Sequence, residues 1–336
     1  MSRGNKMTKF QKFINKFSGK SVLVTGGAGF IGSNLAEALV NLGARVRVID
    51  NLVTGHRSNV EDLIDCGLEF IEGDIRDYAT CLSAVEGMDM ISHQAALGSV
   101  PRSIENPLAS HDHNVNGTLN IMRAAVEKGV GRVVFASSSS VYGDEPTLPK
   151  KENRTGRLLS PYAATKCVGE IYGDMMNSVY GLDVVGLRYF NIYGPRQDPN
   201  GPYAAVIPKF IELMSTGKSP TIYGDGEQSR DFTYVDNAIQ ANLAAMSREK
   251  QFGFEVMNVA CGDRLSVNEL FYNLRLSLSK YISEVSDIEA IHGEEREGDI
   301  PHSHADISKA IELIEYEVLV GIEEGIQSTV DWFMRN

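Results

Sequence analysis

From Lys20 onward, short apolar runs alternate with longer stretches whose apolar residues recur at helical spacing. Ser21–Thr25 (SVLVT) reads as a buried strand, and 34–42 as a helix closed by Gly43. RVRVID predicts a second strand ending at Asp50, LEFIEGDI a third ending near Asp74, and DMISH a fourth. Residues 132–136 and 183–187 supply a fifth and a sixth, with helices over Gly117–Lys128 and 163–179. β-branched runs alternating with helices predict an α/β fold built on a doubly wound parallel sheet. Beyond Arg188 the alternation fades and Pro and Gly cluster through 194–208 and 223–226. That texture predicts a smaller C-terminal α/β region made of excursions from the first.

Composition narrows the function classes. The 336 residues are 43% hydrophobic and 23% charged, ordinary for a globular chain with a sizeable core. A net charge of −12 speaks against a nucleic-acid or anionic-membrane partner, though not against a small anionic ligand. No apolar run approaches the roughly 18 residues needed to span a bilayer. Residues 1–19 are basic, with Phe10, Phe13, Ile14 and Phe17 at helical spacing. They lack the continuous apolar core and small-residue cleavage site of a targeting peptide, so a short amphipathic helix packed on the body is expected. Cys66, Cys81, Cys167 and Cys261 show neither CxxC nor metal-ligand spacing. Free thiols, no metal and a cytoplasmic location are the expectation.

Candidate chemistry begins at the first strand's end, where Val24-Thr-Gly-Gly-Ala-Gly-Phe-Ile-Gly32 opens a helix. Gly26, Gly29 and Gly32 suit a tight turn, close approach of backbone N–H groups to a pyrophosphate, and close helix packing. Asp50 ends the second strand about 20 residues on, where an acid accepts hydrogen bonds from a ribose diol. An acid there repels a 2′-phosphate, which favours NAD over NADP; nearby Arg57 leaves that preference incomplete. Asp74 and Ile75 close the third strand and Gln94, Ala95 and Ala96 the fourth, at carboxyl ends that would line a dinucleotide crevice. Asp74 could equally be a turn residue.

The fifth strand runs into Ser137-Ser-Ser-Ser140, and Pro161 then starts a helix carrying Tyr162 and Lys166. At i, i+4 these side chains share a face. A tyrosine with a pKa near ~10 becomes a base at neutral pH only when a cation favours its phenolate. Lys166 can supply that field, and a strand-edge serine can hold the substrate oxygen.

TGGAGFIG, Asp50, the serine run, the Tyr162/Lys166 pair and RYFNIYGPRQ together resemble the extended short-chain dehydrogenase/reductase family, closest to UDP-sugar 4-epimerases of the bacterial UDP-N-acetylglucosamine type. The likeness covers Lys20 to Trp332. It implies a Rossmann-type NAD-binding domain over 20–195 with 236–262 returning to it. The UDP-sugar region would then be 196–235 and 263–336. It implies Tyr162, Lys166 and Ser138 as the catalytic set, and Phe30, Ile31, Asn51, Asn114 and Tyr189 beside NAD with the residues above. Gly98, Ser99, Ser139, Ser140 and Asn191 would contact substrate, Ala205, Val206 and Tyr223 would hold the uridine, and Arg230 and Arg296 the diphosphate.

The same resemblance sorts the reaction. Related 4,6-dehydratases carry an Asp-Glu pair after the fifth strand, and related decarboxylases a glutamate; only serines stand here. Tyr162 would take the proton from the sugar 4-OH, directly or through Ser138, while NAD oxidises C4 and the 4-keto sugar is reduced again from its other face. Ser303 replaces a bulky tyrosine of enzymes restricted to UDP-glucose and UDP-galactose, which makes room for a 2-acetamido group. UDP-N-acetylglucosamine/UDP-N-acetylgalactosamine 4-epimerisation for surface-polysaccharide precursors is therefore expected, with UDP-glucose/UDP-galactose as a further pair. The alternatives are a UDP-N-acetylglucosaminuronate or UDP-glucuronate 4-epimerase, for which Arg102 is the candidate recognition residue, and a non-catalytic NAD sensor. A homodimer is expected, through the helices 117–128 and 163–179.

Overall fold

In a computed structural model, which describes residues 9–200, 204–295 and 301–336, the centre of the molecule is a seven-stranded, wholly parallel sheet. Its strands are β1 (Ser21–Thr25), β2 (Arg45–Asp50), β3 (Glu69–Glu72), β4 (Met90–His93), β5 (Arg132–Ser138), β6 (Val184–Tyr189) and β7 (Phe254–Val259). Their order is β7-β6-β5-β4-β1-β2-β3, every neighbouring pair parallel. The chain reverses direction of travel across the sheet between β1 and β4, and this switch point opens a crevice at the strands' carboxyl ends.

Alternate residues of each strand feed two cores. Val22, Val24, Val46, Val48, Val134 and Val185 pack under helices α1 (Phe30–Asn41) and α5 (Val235–Ser247). Leu23, Ile49, Ile91, Val133 and Phe135 pack under α2 (Tyr78–Val85), α3 (Gly117–Lys128) and α4 (Pro161–Tyr180). This two-sided burial is why the strands read as continuous apolar runs.

Three boundaries differ from the sequence expectation in ways that matter. β5 runs to Ser138, so the first two serines belong to the strand and not to a turn. α1 starts at Phe30, directly after Gly29, which brings its first turn onto the glycine loop. The N-terminal segment, described from Lys9, is a 3₁₀ turn (Gln11–Phe13) followed by one α-turn (Ile14–Phe17) in place of one continuous short helix. Phe10, Phe13 and Phe17 are buried in the first core, while Lys9, Lys12 and Lys16 pair with Asp236, Glu317 and Glu249 on separate elements.

Beyond β6, three two-stranded pairs and the helices Val206–Ser215, Val267–Ser279, Ser308–Ile314 and Ile322–Phe333 form the smaller region. The helix Val267–Ser279 starts with a reciprocal Ser266/Glu269 cap. No helix among the described residues is long and apolar enough to cross a membrane.

Candidate active site

A cleft of about 560 Å³ runs along the carboxyl ends of the sheet. Its first part is made by the turn between β1 and α1. Gly26 has φ +64°, and a Cβ there would stand 2.7 Å from the backbone of Ala95. At Gly32 a Cβ would come within 2.2 Å of the Gly26 carbonyl oxygen. Only glycine lets the helix start this close to the strand end, leaving its first N–H groups facing the cleft.

Asp50 closes β2 nearly buried. Its carboxylate accepts from the backbone N–H of Ala28 at 3.0 Å and of Leu52 at 2.8 Å, which fixes its orientation at the cleft wall. Gly29, Phe30, Ile31, Asn51, Ile75, Gln94, Ala95 and Ala96 line the same part. Arg57 is absent from the lining; its guanidinium lies over the Phe70 ring at 4.8 Å. Glycine cradle, ribose-facing acid and missing cation together fit NAD.

The other part of the cleft collects Gly98, Ser99, Ser138, Ser139, Tyr162, Lys166, Tyr189 and Asn191. Ser160 caps α4 by accepting from the Ala163 N–H at 3.1 Å, and the Tyr162 N–H donates to Ser103 Oγ at 3.0 Å, which fixes where the tyrosine leaves the helix. Ser138 stands beside the Tyr162 phenol, and its Oγ accepts from the Ser140 N–H at 3.1 Å. Burial raises the Tyr162 pKa and the Ser138 hydroxyl opposes it. Lys166 donates to the Ala136 carbonyl oxygen at 2.7 Å, with its Nζ 5.8 Å from the Tyr162 ring centre. Burial lowers its ammonium to about 8. His93, buried between Thr25 and Thr118, is pushed down to about 3 by burial and then by Lys166, so it is neutral.

Tyr189 and Asn191 reach the wall from the end of β6. The Tyr189 hydroxyl donates to Gln94 Oε1 and accepts from Asn242, and Asn191 sits at φ +40°, a conformation asparagine tolerates.

Several expected site residues stand outside the lining. The Asp74 carboxylate is turned to the Arg76 guanidinium and Asn51, an ion-paired bond that holds its pKa far below the usual carboxylate range. Asn114 lies in the π-turn Asp112–Asn116 and ties Leu97 to Thr165 from behind the wall. The hydroxyl of Ser140 is buried away from the cleft. Ala205 and Val206 begin a helix, Tyr223 ends a short strand, and Arg230 donates to the carbonyls of Ser229 and Pro301. Ser303 follows this arginine's partner segment, its N–H donating to the Ser229 carbonyl. None of these five lines the described cleft. Arg296 lies outside the described residues.

Other lining residues carry no assignment from the sequence. Gly73 directly follows β3 and Leu97 stands four residues past the end of β4, so the rule that crevices form at carboxyl ends could have found them. Val53, Thr54 and Gln197 come from loops and His113 from the π-turn, segments joined only by tertiary structure, and nothing in the sequence marks them. Among the described residues no group of His, Cys, Asp or Glu could hold a metal ion.

A doubly wound sheet with a glycine cradle, an acid at the second strand's end and a Ser-Tyr-Lys set defines a dinucleotide-dependent oxidoreductase-type site. Residues 22–260 match the model of the NAD dependent epimerase/dehydratase family. The chain belongs to this family, NAD is its cofactor, and it is an enzyme of the UDP-sugar epimerase kind. It is similar to the structure of a UDP-N-acetylglucosamine 4-epimerase from Methanobrevibacter ruminantium in complex with UDP-N-acetylmuramic acid (TM-score 0.89, 42% identity, 95% of this chain and 99% of that one). The UDP-glucose 4-epimerase of Mycolicibacterium smegmatis is 36% identical over 93% of this chain and 97% of the relative. The UDP-N-acetyl-alpha-D-glucosaminuronate decarboxylase of Bacillus cytotoxicus is 37% identical over 94% and 98%. Overall likeness therefore spans more than one reaction.

Proposed function

We propose that the protein interconverts UDP-N-acetylglucosamine and UDP-N-acetylgalactosamine by reversible oxidation at C4. The observation that carries this reading is the absence of a second acid at the reacting end. Among the described residues Asp50 is the only carboxylate lining the cleft, and it is held by backbone N–H groups at the end of β2. Elimination or decarboxylation steps of related enzymes use a carboxylate after β5, where this chain has Ser139 and Ser140. Proton removal from an alcohol needs only Tyr162, Ser138 and Lys166.

NAD, when bound, supplies the two-electron acceptor and donor. Tyr162 accepts the 4-OH proton, directly or through Ser138, keeps it while C4 is a ketone, and returns it. Lys166, charged below about pH 8, favours the phenolate and is assigned to a ribose hydroxyl. Gly26, Gly29, Gly32 and Asp50 hold pyrophosphate and ribose. Arg230, Arg296, Asn191, Ala205, Val206 and Tyr223 are assigned to the nucleotide, and Ser303 to the acetamido side of the sugar.

A second substrate reading has one observation behind it. Arg102 lines the cleft next to Ser99, which suits a uronate carboxylate. Incubation of the purified protein with UDP-N-acetylglucosamine, without added cofactor, tests the first reading through the appearance of UDP-N-acetylgalactosamine. Turnover of UDP-N-acetylglucosaminuronate alone would replace it with the second.

We also propose a homodimer. Ile104, Leu108, Ile171 and Val179 are 62–77% exposed on Val100–Glu105, Pro107–His111 and α4. Of the two helices expected at the dimer face, this reading keeps α4 and adds the two short helices beside it, while the apolar residues of α3 face inward. Sedimentation at micromolar concentration should give twice the chain mass.

A further inference from the structure

Two charged side chains that no motif marks lie behind the reacting end of the cleft. Glu170 follows Lys166 by four residues on α4, so Tyr162, Lys166 and Glu170 form one row along a single helix face. Each member meets the end of β5. Tyr162 faces Ser138, Lys166 donates to the Ala136 carbonyl, and Glu170 Oε1 accepts from Ser137 Oγ at 2.5 Å.

The carboxylate of Glu170 is also gripped from β6. Arg188 Nε donates to Oε1 at 2.8 Å and Nη2 to Oε2 at 2.7 Å, a two-pronged pair with both residues at least nine-tenths buried. The guanidinium donates further to the Glu152 carbonyl and stacks 4.9 Å from the centre of the Tyr142 ring, whose hydroxyl donates to Asn258. Helix, fifth strand, sixth strand and the turn after the serines are thus joined at one point.

A buried ion pair is a poor source of stability, because desolvating both charges offsets most of their attraction and well-packed apolar residues serve as well. What it supplies is geometry, since a bidentate pair fixes distance and direction together. Neither Glu170 nor Arg188 lines the cleft, so neither touches a reacting atom, but Ser137 does line it and immediately precedes Ser138. We propose that Glu170, with Arg188 as its counter-ion, is a positioning residue. It fixes the Ser137 hydroxyl, and through it the strand end from which Ser138 meets Tyr162 and Ala136 meets Lys166. The inference rests on the reading of those three side chains as the reacting set. A displacement of about 1 Å in such a set costs on the order of 100-fold in rate.

Glu170→Gln alone leaves a buried uncompensated arginine and is expected to unfold easily. The test is therefore the double variant Glu170→Gln/Arg188→Met, which removes both charges and keeps the volume. It should unfold cooperatively, retain bound NAD, and keep the KM for UDP-N-acetylglucosamine within about threefold, while kcat falls about 10- to 100-fold. The acid side of its kcat–pH profile should move to higher pH, because a displaced Ser138 and Lys166 favour the phenolate less. An unchanged kcat and pH profile, or a raised KM with kcat intact, overturns the proposal. Ser137→Ala, which cuts the same link with the ion pair left whole, should show the same signature at about 3- to 10-fold; a wild-type kcat there counts equally against it. Tyr162→Phe, assayed alongside, separates two failures. If it still turns over, the reacting set was misread; if it is dead while the double variant is fully active, only the positioning role is lost.

Discussion

The Lys166 ammonium donates to the carbonyl oxygen of Ala136 at 2.7 Å, and not to the phenol one helical turn away. The lysine is anchored to the end of β5, so it contributes to the site as a fixed buried charge and as part of the fold. Burial lowers its pKa from 10.5 to about 8. The fold therefore disfavours the charged form. The penalty is full below about pH 8 and is relieved as pH rises from about 8 to about 10.5. Lys166→Met in the cofactor-free protein should flatten this rise in thermal midpoint between pH 8 and 10, as measured by calorimetry. Parallel curves for the two proteins would contradict the assigned burial.

Tyr162→Phe removes the group that exchanges the proton. Its kcat should fall by about 10²- to 10⁴-fold, with NAD content and unfolding midpoint unchanged. Ser138→Ala should cost less, about 10- to 100-fold, because water can replace a relaying hydroxyl. Steady-state kinetics with NAD quantified after denaturation checks both.

Ser303→Tyr restores bulk on the segment that follows Pro301. It should lower kcat/KM for UDP-N-acetylglucosamine by about 10-fold or more and leave UDP-glucose nearly unchanged, since steric exclusion acts only on the larger sugar. Equal losses on both sugars would remove Ser303 from the account of specificity.

Arg132 and Asp183 form a buried pair at the opposite end of β5, with Arg132 also donating to the carbonyls of Ala245, Arg248 and Lys250. Arg132→Met strands the aspartate and should cost about 3–5 kcal/mol in urea unfolding. Because the pair lies at the amino end of the strand, kcat of the folded variant should stay within about twofold at 25 °C.

Much of this site is legible in the sequence because its parts are local. The glycine turn, Asp50 and the Tyr162/Lys166 pair each follow from spacing along one or two elements, and strands buried on both faces announce themselves as apolar runs. What the sequence hides depends on packing between distant elements. Nothing near Asn114 says that it braces Leu97 behind the wall, whereas the carboxylate of Asp74 is claimed locally, by Arg76 two residues on. No motif in the sequence marks Glu170 or Arg188; only the fold reveals that they neutralise each other behind the serines. β5 extends past Ala136 because, although serine favours turns locally, pairing with β6 keeps Ser137 and Ser138 extended.

The most direct test of reversible oxidation at C4 is the fate of the hydrogen on that carbon. UDP-N-acetylglucosamine deuterated at C4 should be converted by the protein as purified, in ordinary water, into UDP-N-acetylgalactosamine that keeps the label at C4. Mass spectrometry and proton NMR of the product read this directly. Loss of the deuterium to solvent during conversion would contradict the account.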